Sequence, residues 1–110
     1  MSNLLHRRCQ AQHSGLPMRD AEVHDHLTQV SGWRVHDGTI EKTFSFKNFH
    51  ETIAFVNALA WICHTEDHHP ELALSFDRCV ARFSTHSVGG ISINDFICAA
   101  KADALVAFIA

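Results

Sequence analysis

A chain of 110 residues is one domain with room for a single hydrophobic core. Its net charge of −3 and lack of any Lys/Arg run argue against a nucleic-acid surface, and no apolar stretch reaches the length of a membrane span. Four scattered cysteines without a Cys-x-x-Cys pair, and no signal-peptide hydrophobic region, fit a reducing compartment, so a cytoplasmic location is expected.

The segment "MSNLLHRRCQAQHSGLPMR" carries arginines and no acid. Organellar transit segments share that composition, but a long amphipathic helix is lacking. Residues 1–18 therefore read as a loosely ordered N-terminal extension, ahead of a single domain over 19–110. Val23, Leu27 and Val30 stand at helical spacing, and Gly32 is in the stop position. "WRVHDGTIEKTFSF" reads as a hairpin. Asp37-Gly38 is its two-residue turn, and Ile40, Phe44 and Phe46 share one face. Lys42 interrupts that face and is expected to blunt an edge strand, with pointing into a site as the alternative.

"NFHETIAFVNALAWICHTED" is the strongest helix, with Asn48 and Glu51 in a capping-box arrangement. It carries two apolar stripes, Phe49, Ile53, Val56, Ala60 and Cys63, then Phe55, Leu59 and Ile62; Trp61 widens them. A surface helix needs one stripe, so this one is expected to be central or covered by a second subunit. Leu72, Leu74 and Phe76 alternate, and Cys79, Ala81 and Phe83 alternate with opposite parity, which requires a bulge or turn at Asp77-Arg78. Ser92 and Asp95 open a last helix that presents Phe96, Ile97, Ala100, Ala104 and Phe108. The expected fold is α+β: an antiparallel sheet of about four strands with helices on one face, in the order α-β-β-α-β-β-α.

Histidine is the compositional outlier, with ten residues. His6, His13, His24, His26, His36 and His50 read as solvated. His64, His68 and His69 differ, because they sit where an apolar helix meets a strand, and Pro70 forces His69 out of helical geometry. His64 and His68 are four apart, which suits zinc, with His69 or His86 to complete a set; but "HTEDHH" is not His-Glu-x-x-His. Metal-free acid–base chemistry is the other reading. Imidazole titrates near pH 6.5, so one site can hold a protonated and a neutral ring together. No activated nucleophile and no phosphate-cradling glycine loop is present.

Read together, His64-x-x-x-His68-His69-Pro70, Phe76, His86 and Asp95 resemble the spaced signature of the pterin-4a-carbinolamine dehydratases. "GW", "IEKTFSF", "DHHPEL", "STHSVGGIS" and "DFICAA" are also similar to that family, over about Trp33 to Leu105. The resemblance implies dehydration of a 4a-hydroxytetrahydropterin to quinonoid dihydropterin and water, with no metal and no bound cofactor. It assigns acid–base work to His68 and His86 and pterin binding to His69 and His64, the latter where relatives often have Glu. Pro70, Phe76 and Asp95 complete the motif, with Asp95 also fitting a helix cap. The expected partners are the pterin, further copies of the chain in a homodimer or homotetramer, and functional coupling to an aromatic amino-acid hydroxylase. The alternatives are a non-catalytic scaffold, as an assembly factor or transcriptional cofactor, and a zinc-dependent hydrolase.

Overall fold

The structure is a computed structural model that describes residues 3–11 and 15–109, with side chains as far as Val106. His13 and the side chain of Phe108 lie outside the described residues. Helix α1 (Asp20–Leu27) precedes strands β1 (Arg34–His36) and β2 (Thr39–Ser45). Asp37 and Gly38 join the two strands with φ of 47° and 76°. Both values are positive, as a type I′ turn requires, which is why a short polar residue and a glycine stand there. Helix α2 (Phe49–Glu66) begins where Asn48 Oδ1 accepts the Glu51 N–H at 2.9 Å. Glu51 reaches back in turn to the Lys47 N–H at 3.1 Å.

Strands β3 (Glu71–Leu74) and β4 (Arg78–Phe83) form a second hairpin, and helix α3 (Ile93–Ile109) ends the chain. The sheet is antiparallel in the order β1-β2-β4-β3, so the expected α+β architecture and element order hold. The parity change is resolved by the turn at 75–77 rather than by a bulge. Leu72 faces Ala81 and Leu74 faces Cys79 across the ladder, so both parities meet on one side.

The core lies between that side of the sheet and the helices. Ile40, Phe44, Cys79, Ala81 and Phe83 meet Phe55, Leu59 and Cys63 of α2 and Phe96, Ile97, Ala99 and Ala102 of α3. Phe44 and Phe55 pack at a tilt with centroids 4.6 Å apart, and Trp33 meets Phe44 edge-on at 5.9 Å. Each such ring contributes about 1.5–3 kcal/mol by leaving water. Only the Phe55–Leu59 stripe, extended by Thr52 and Cys63, is buried on α2. Phe49 is half-exposed, Ala60 is exposed and Trp61 is 70% exposed, so in the single chain much of the Phe49 stripe stays uncovered.

Two expectations need correction. Lys42 does not blunt an edge, since β2 is paired on both sides. Its ammonium lies 2.9 Å from both the Asp103 carboxylate and the Ser31 carbonyl, and so ties β2 to α3. Nor do residues 4–11 hang loose. Leu4 is buried against the core, and Leu5 offers its carbonyl to Lys101 at 2.7 Å. Residues 7–11 then run across α2 and α3 as a strap. Its anchors are polar and far away in sequence, which hydrophobic periodicity does not reveal.

Candidate active site

Helix α2 ends in a way that sets His68. Asp67 takes the left-handed conformation at φ 54°, its N–H bonds the His64 carbonyl at 3.2 Å, and the His68 N–H bonds the Cys63 carbonyl at 3.1 Å. These two bonds form a Schellman cap, which fixes the backbone of His68 relative to the last helical turn. His69 follows outside the helix, and Pro70 disfavours helical backbone there.

Beside this helix end, Ser92 caps α3. Its hydroxyl lies 3.2 Å from the Asn94 N–H, and its own N–H donates to Asp95 Oδ2 at 2.9 Å. Asp95 is fully buried, so its charge needs donors. Thr85 supplies one from its hydroxyl at 3.0 Å, and His68 Nε2 supplies another to Oδ1 at 2.5 Å. An ionised carboxylate only accepts, so His68 carries its proton on Nε2 and, when neutral, leaves Nδ1 as the basic nitrogen. The ring stacks on Phe83 with an interplanar angle of 9°. Ser92 and Thr85 share a hydroxyl contact of 2.6 Å, so donation can run from Ser92 to Thr85 to Asp95.

His86 follows Thr85 directly and begins a short 3-10 turn, His86–Val88. The bridge between Thr85 and Gly90 closes this loop, with the Thr85 N–H to the Gly90 carbonyl at 2.7 Å. One carboxylate therefore anchors the ring of His68 and the side chain of Thr85, the residue before His86.

His68, His69 and His86 line a common open cleft of about 580 Å³, with Asp67, Ser84, Ser87 and Asn94 among its other walls. Asp95 lies beneath it. His64 is not among the lining residues: it is exposed on α2 with its ring 5.9 Å from Trp61. Pro70 and Phe76 are also outside the lining, and Phe76 stacks on Phe49 at 6.4 Å. Among the described residues no three His, Cys, Asp or Glu side chains converge as a metal-ligand group. Of the histidines read as solvated, His26 is half-buried on Phe96, with ring centroids 5.2 Å apart.

The strap supplies a wall that sequence reasoning missed, through Cys9, Gln10 and Ala11. Asn94 holds it from both sides of its amide, accepting from the Gln10 N–H at 3.0 Å and donating to the Gln10 carbonyl at 2.6 Å. Glu66 accepts the Cys9 N–H at 2.7 Å and pairs with Arg8 at 2.8 Å. Burial works against the Glu66 charge, but the Cys9 N–H, Lys101 and Arg8 outweigh it and hold the carboxyl below its ordinary value. No local motif in the sequence announces these pairings, which join positions more than eighty apart for Asn94.

The profile of the family described as "Pterin 4 alpha carbinolamine dehydratase" matches residues 16–105. A protein of Chromobacterium violaceum named "Putative pterin-4-alpha-carbinolamine dehydratase" is 48% identical over 103 residues, covering 94% of this chain and 95% of that one. One of the same name from Bdellovibrio bacteriovorus is 59% identical over 88 residues, covering 76% and 73%. Among solved structures, a "transcriptional coactivator/pterin dehydratase" of Brucella melitensis superposes with a TM-score of 0.78 at 28% identity, over 81% of this chain and 97% of that one. A pterin dehydratase-like protein described as a RuBisCO assembly factor of the alpha-carboxysome shares the fold alone, with a TM-score of 0.56 at 23% identity, over 66% of this chain and 84% of that one. By profile, identity and fold, the chain belongs to the pterin-4a-carbinolamine dehydratase family.

Proposed function

We propose that this chain is a hydro-lyase that dehydrates 4a-hydroxytetrahydropterin to quinonoid dihydropterin and water. The observation that carries the reading is the convergence of His68, His69 and His86 on one cleft, with His68 held in a single tautomer by buried Asp95. The reaction must protonate the departing 4a-hydroxyl and remove the proton from the adjacent ring nitrogen. Two imidazoles supply both transfers, each worth ~10²–10⁴-fold when well placed. In this assignment Nδ1 of His68 faces the reacting atoms, His86 is its acid–base counterpart, and His69 holds the pterin. His64 takes no direct part, because it lies outside the cleft. No metal and no further cofactor enters the scheme.

The test is the dehydration rate of 4a-hydroxytetrahydropterin made in situ by an aromatic amino-acid hydroxylase, for wild type and His68→Ala under EDTA. Fast, chelator-insensitive turnover that is lost in the variant supports the reading. No acceleration by folded wild type, with or without divalent metal, overturns it. The second reading then takes its place: a non-catalytic scaffold that uses the open α2 stripe around Trp61 and Phe49. The Brucella melitensis relative, described as both transcriptional coactivator and pterin dehydratase, supports this second reading.

A further inference from the structure

The strap and α3 bring together two thiols that lie 89 positions apart in the sequence. Cys9 Sγ stands 3.6 Å from Cys98 Sγ, and 3.7 Å from the Asn94 carbonyl. Cys9 is half-buried and lines the cleft, whereas Cys63, Cys79 and Cys98 are all buried. Solvent therefore reaches one residue of the contacting pair and not the other. We propose that Cys9 and Cys98 form a peroxide-driven latch, in which Cys9 is the oxidant-accessible sulfur and Cys98 closes the bond.

The chemistry balances in two steps. The Cys9 sulfur attacks a hydroperoxide, breaking its O–O bond; Cys9 becomes a sulfenic acid and the peroxide leaves as water or an alcohol. The Cys98 sulfur then attacks the Cys9 sulfur, the S–O bond breaks, and water departs with the Cys98 proton. Two thiols are oxidised and one peroxide is reduced. The hydrogen bond to Cys9 and burial hold the Cys98 thiol well above its ordinary value, which slows this closing step. Burial likewise raises Cys63 to about 12 and Cys79 to about 11, so neither competes for the oxidant.

A disulfide needs about 2.05 Å between sulfurs, so the pair must close by roughly 1.5 Å. Cys98 is fixed in the core helix; the strap is the partner that shifts. Oxidation thereby fastens one wall of the cleft to α3. This holds whichever reaction the cleft performs.

The full-length reduced protein is treated with hydrogen peroxide, digested with trypsin without reductant, and mapped. The four cysteines fall in four different peptides, 9–19, 48–78, 79–82 and 83–101, so every pairing has its own mass. The expected product joins 9–19 to 83–101 within one chain and is reversed by dithiothreitol. It is absent in Cys9→Ser, a change on the strap that leaves the core intact, and in Cys98→Ala. Closing so long a loop also raises Tm by about 10 °C in wild type and in neither variant. Peroxide that leaves Cys9 as a sulfinic acid, or links two chains, while Cys98 stays alkylatable after unfolding, overturns the latch. So does a 9–98 bond with no rise in Tm.

Discussion

Replacing Asp95 by Asn separates what its carboxylate does for the fold from what it does for the ring of His68. Oδ2 accepts two donors, the Ser92 N–H at 2.9 Å and the Thr85 hydroxyl at 3.0 Å, while Oδ1 accepts His68 Nε2 alone at 2.5 Å. An asparagine has one oxygen, and the orientation that keeps it on the two-donor side turns its NH2 toward His68. Two donors cannot face each other, so the His68 proton moves to Nδ1 and the basic nitrogen is lost from the cleft. Three charge-assisted bonds become weaker or vanish, for a total of ~2–4 kcal/mol at a fully buried site. The expected loss in Tm is about 10 °C or a little more. Turnover of 4a-hydroxytetrahydropterin should fall ~10²–10⁴-fold with folded protein still in hand. Thr85→Val is the control. It removes one donor at a cost of ~1–2 kcal/mol but keeps the carboxylate and the tautomer, so turnover stays within about threefold. Thermal melts and stopped-flow absorbance on the three proteins decide it. An Asp95→Asn protein that melts early yet turns over like wild type would reduce Asp95 to a helix cap and refute the tautomer argument.

Other outcomes follow from the same geometry. His86→Ala should lower kcat about tenfold or more without lowering Tm, because its side chain is exposed, whereas His69→Ala should chiefly raise KM; steady-state kinetics on both check the division of roles. Asn94→Ala removes both bonds to the Gln10 backbone, for about 1–3 kcal/mol, and should speed tryptic cleavage after Arg7 and Arg8; unchanged cleavage means the strap is held elsewhere. Glu66, held below its ordinary value of 4.5, contributes stability that is present above that pH and lost as pH falls through its lowered folded value. Glu66→Gln should therefore melt lower than wild type at pH 7, and the gap should close toward acid; a gap constant with pH contradicts the ion-pair account.

What the sequence disclosed was local chemistry. The Asp37-Gly38 turn, the Asn48 cap and the Ser92–Asp95 box each depend on residues within four positions of one another, and all appear as read. The change of strand parity was also legible, since a period of two cannot shift without a break. Its resolution as a turn needed the ladder itself. Contacts between distant segments stayed hidden. Nothing near Cys9 or Gln10 announces Glu66 or Asn94, so the strap read as loose. Helical spacing put His64 and His68 on one face, but the cap at Asp67 turns the chain between them and only His68 enters the cleft. Two apolar stripes on α2 looked equivalent in hydropathy. Which one packs is decided by where the sheet lies, and that is a tertiary fact.

The Schellman cap at Asp67 has a consequence for how this cleft can vary. His68 is indexed to the backbone of α2 and not to any loop, so its place follows the helix's phase. Each residue added to or removed from α2 turns its end by about 100° and shifts it by about 1.5 Å. A single-residue insertion before Cys63 would carry His68 off Asp95 while leaving every side chain of the site in the sequence. Substitutions can therefore accumulate along the exposed side of α2, but its length is a measuring rod that sets where the first imidazole stands.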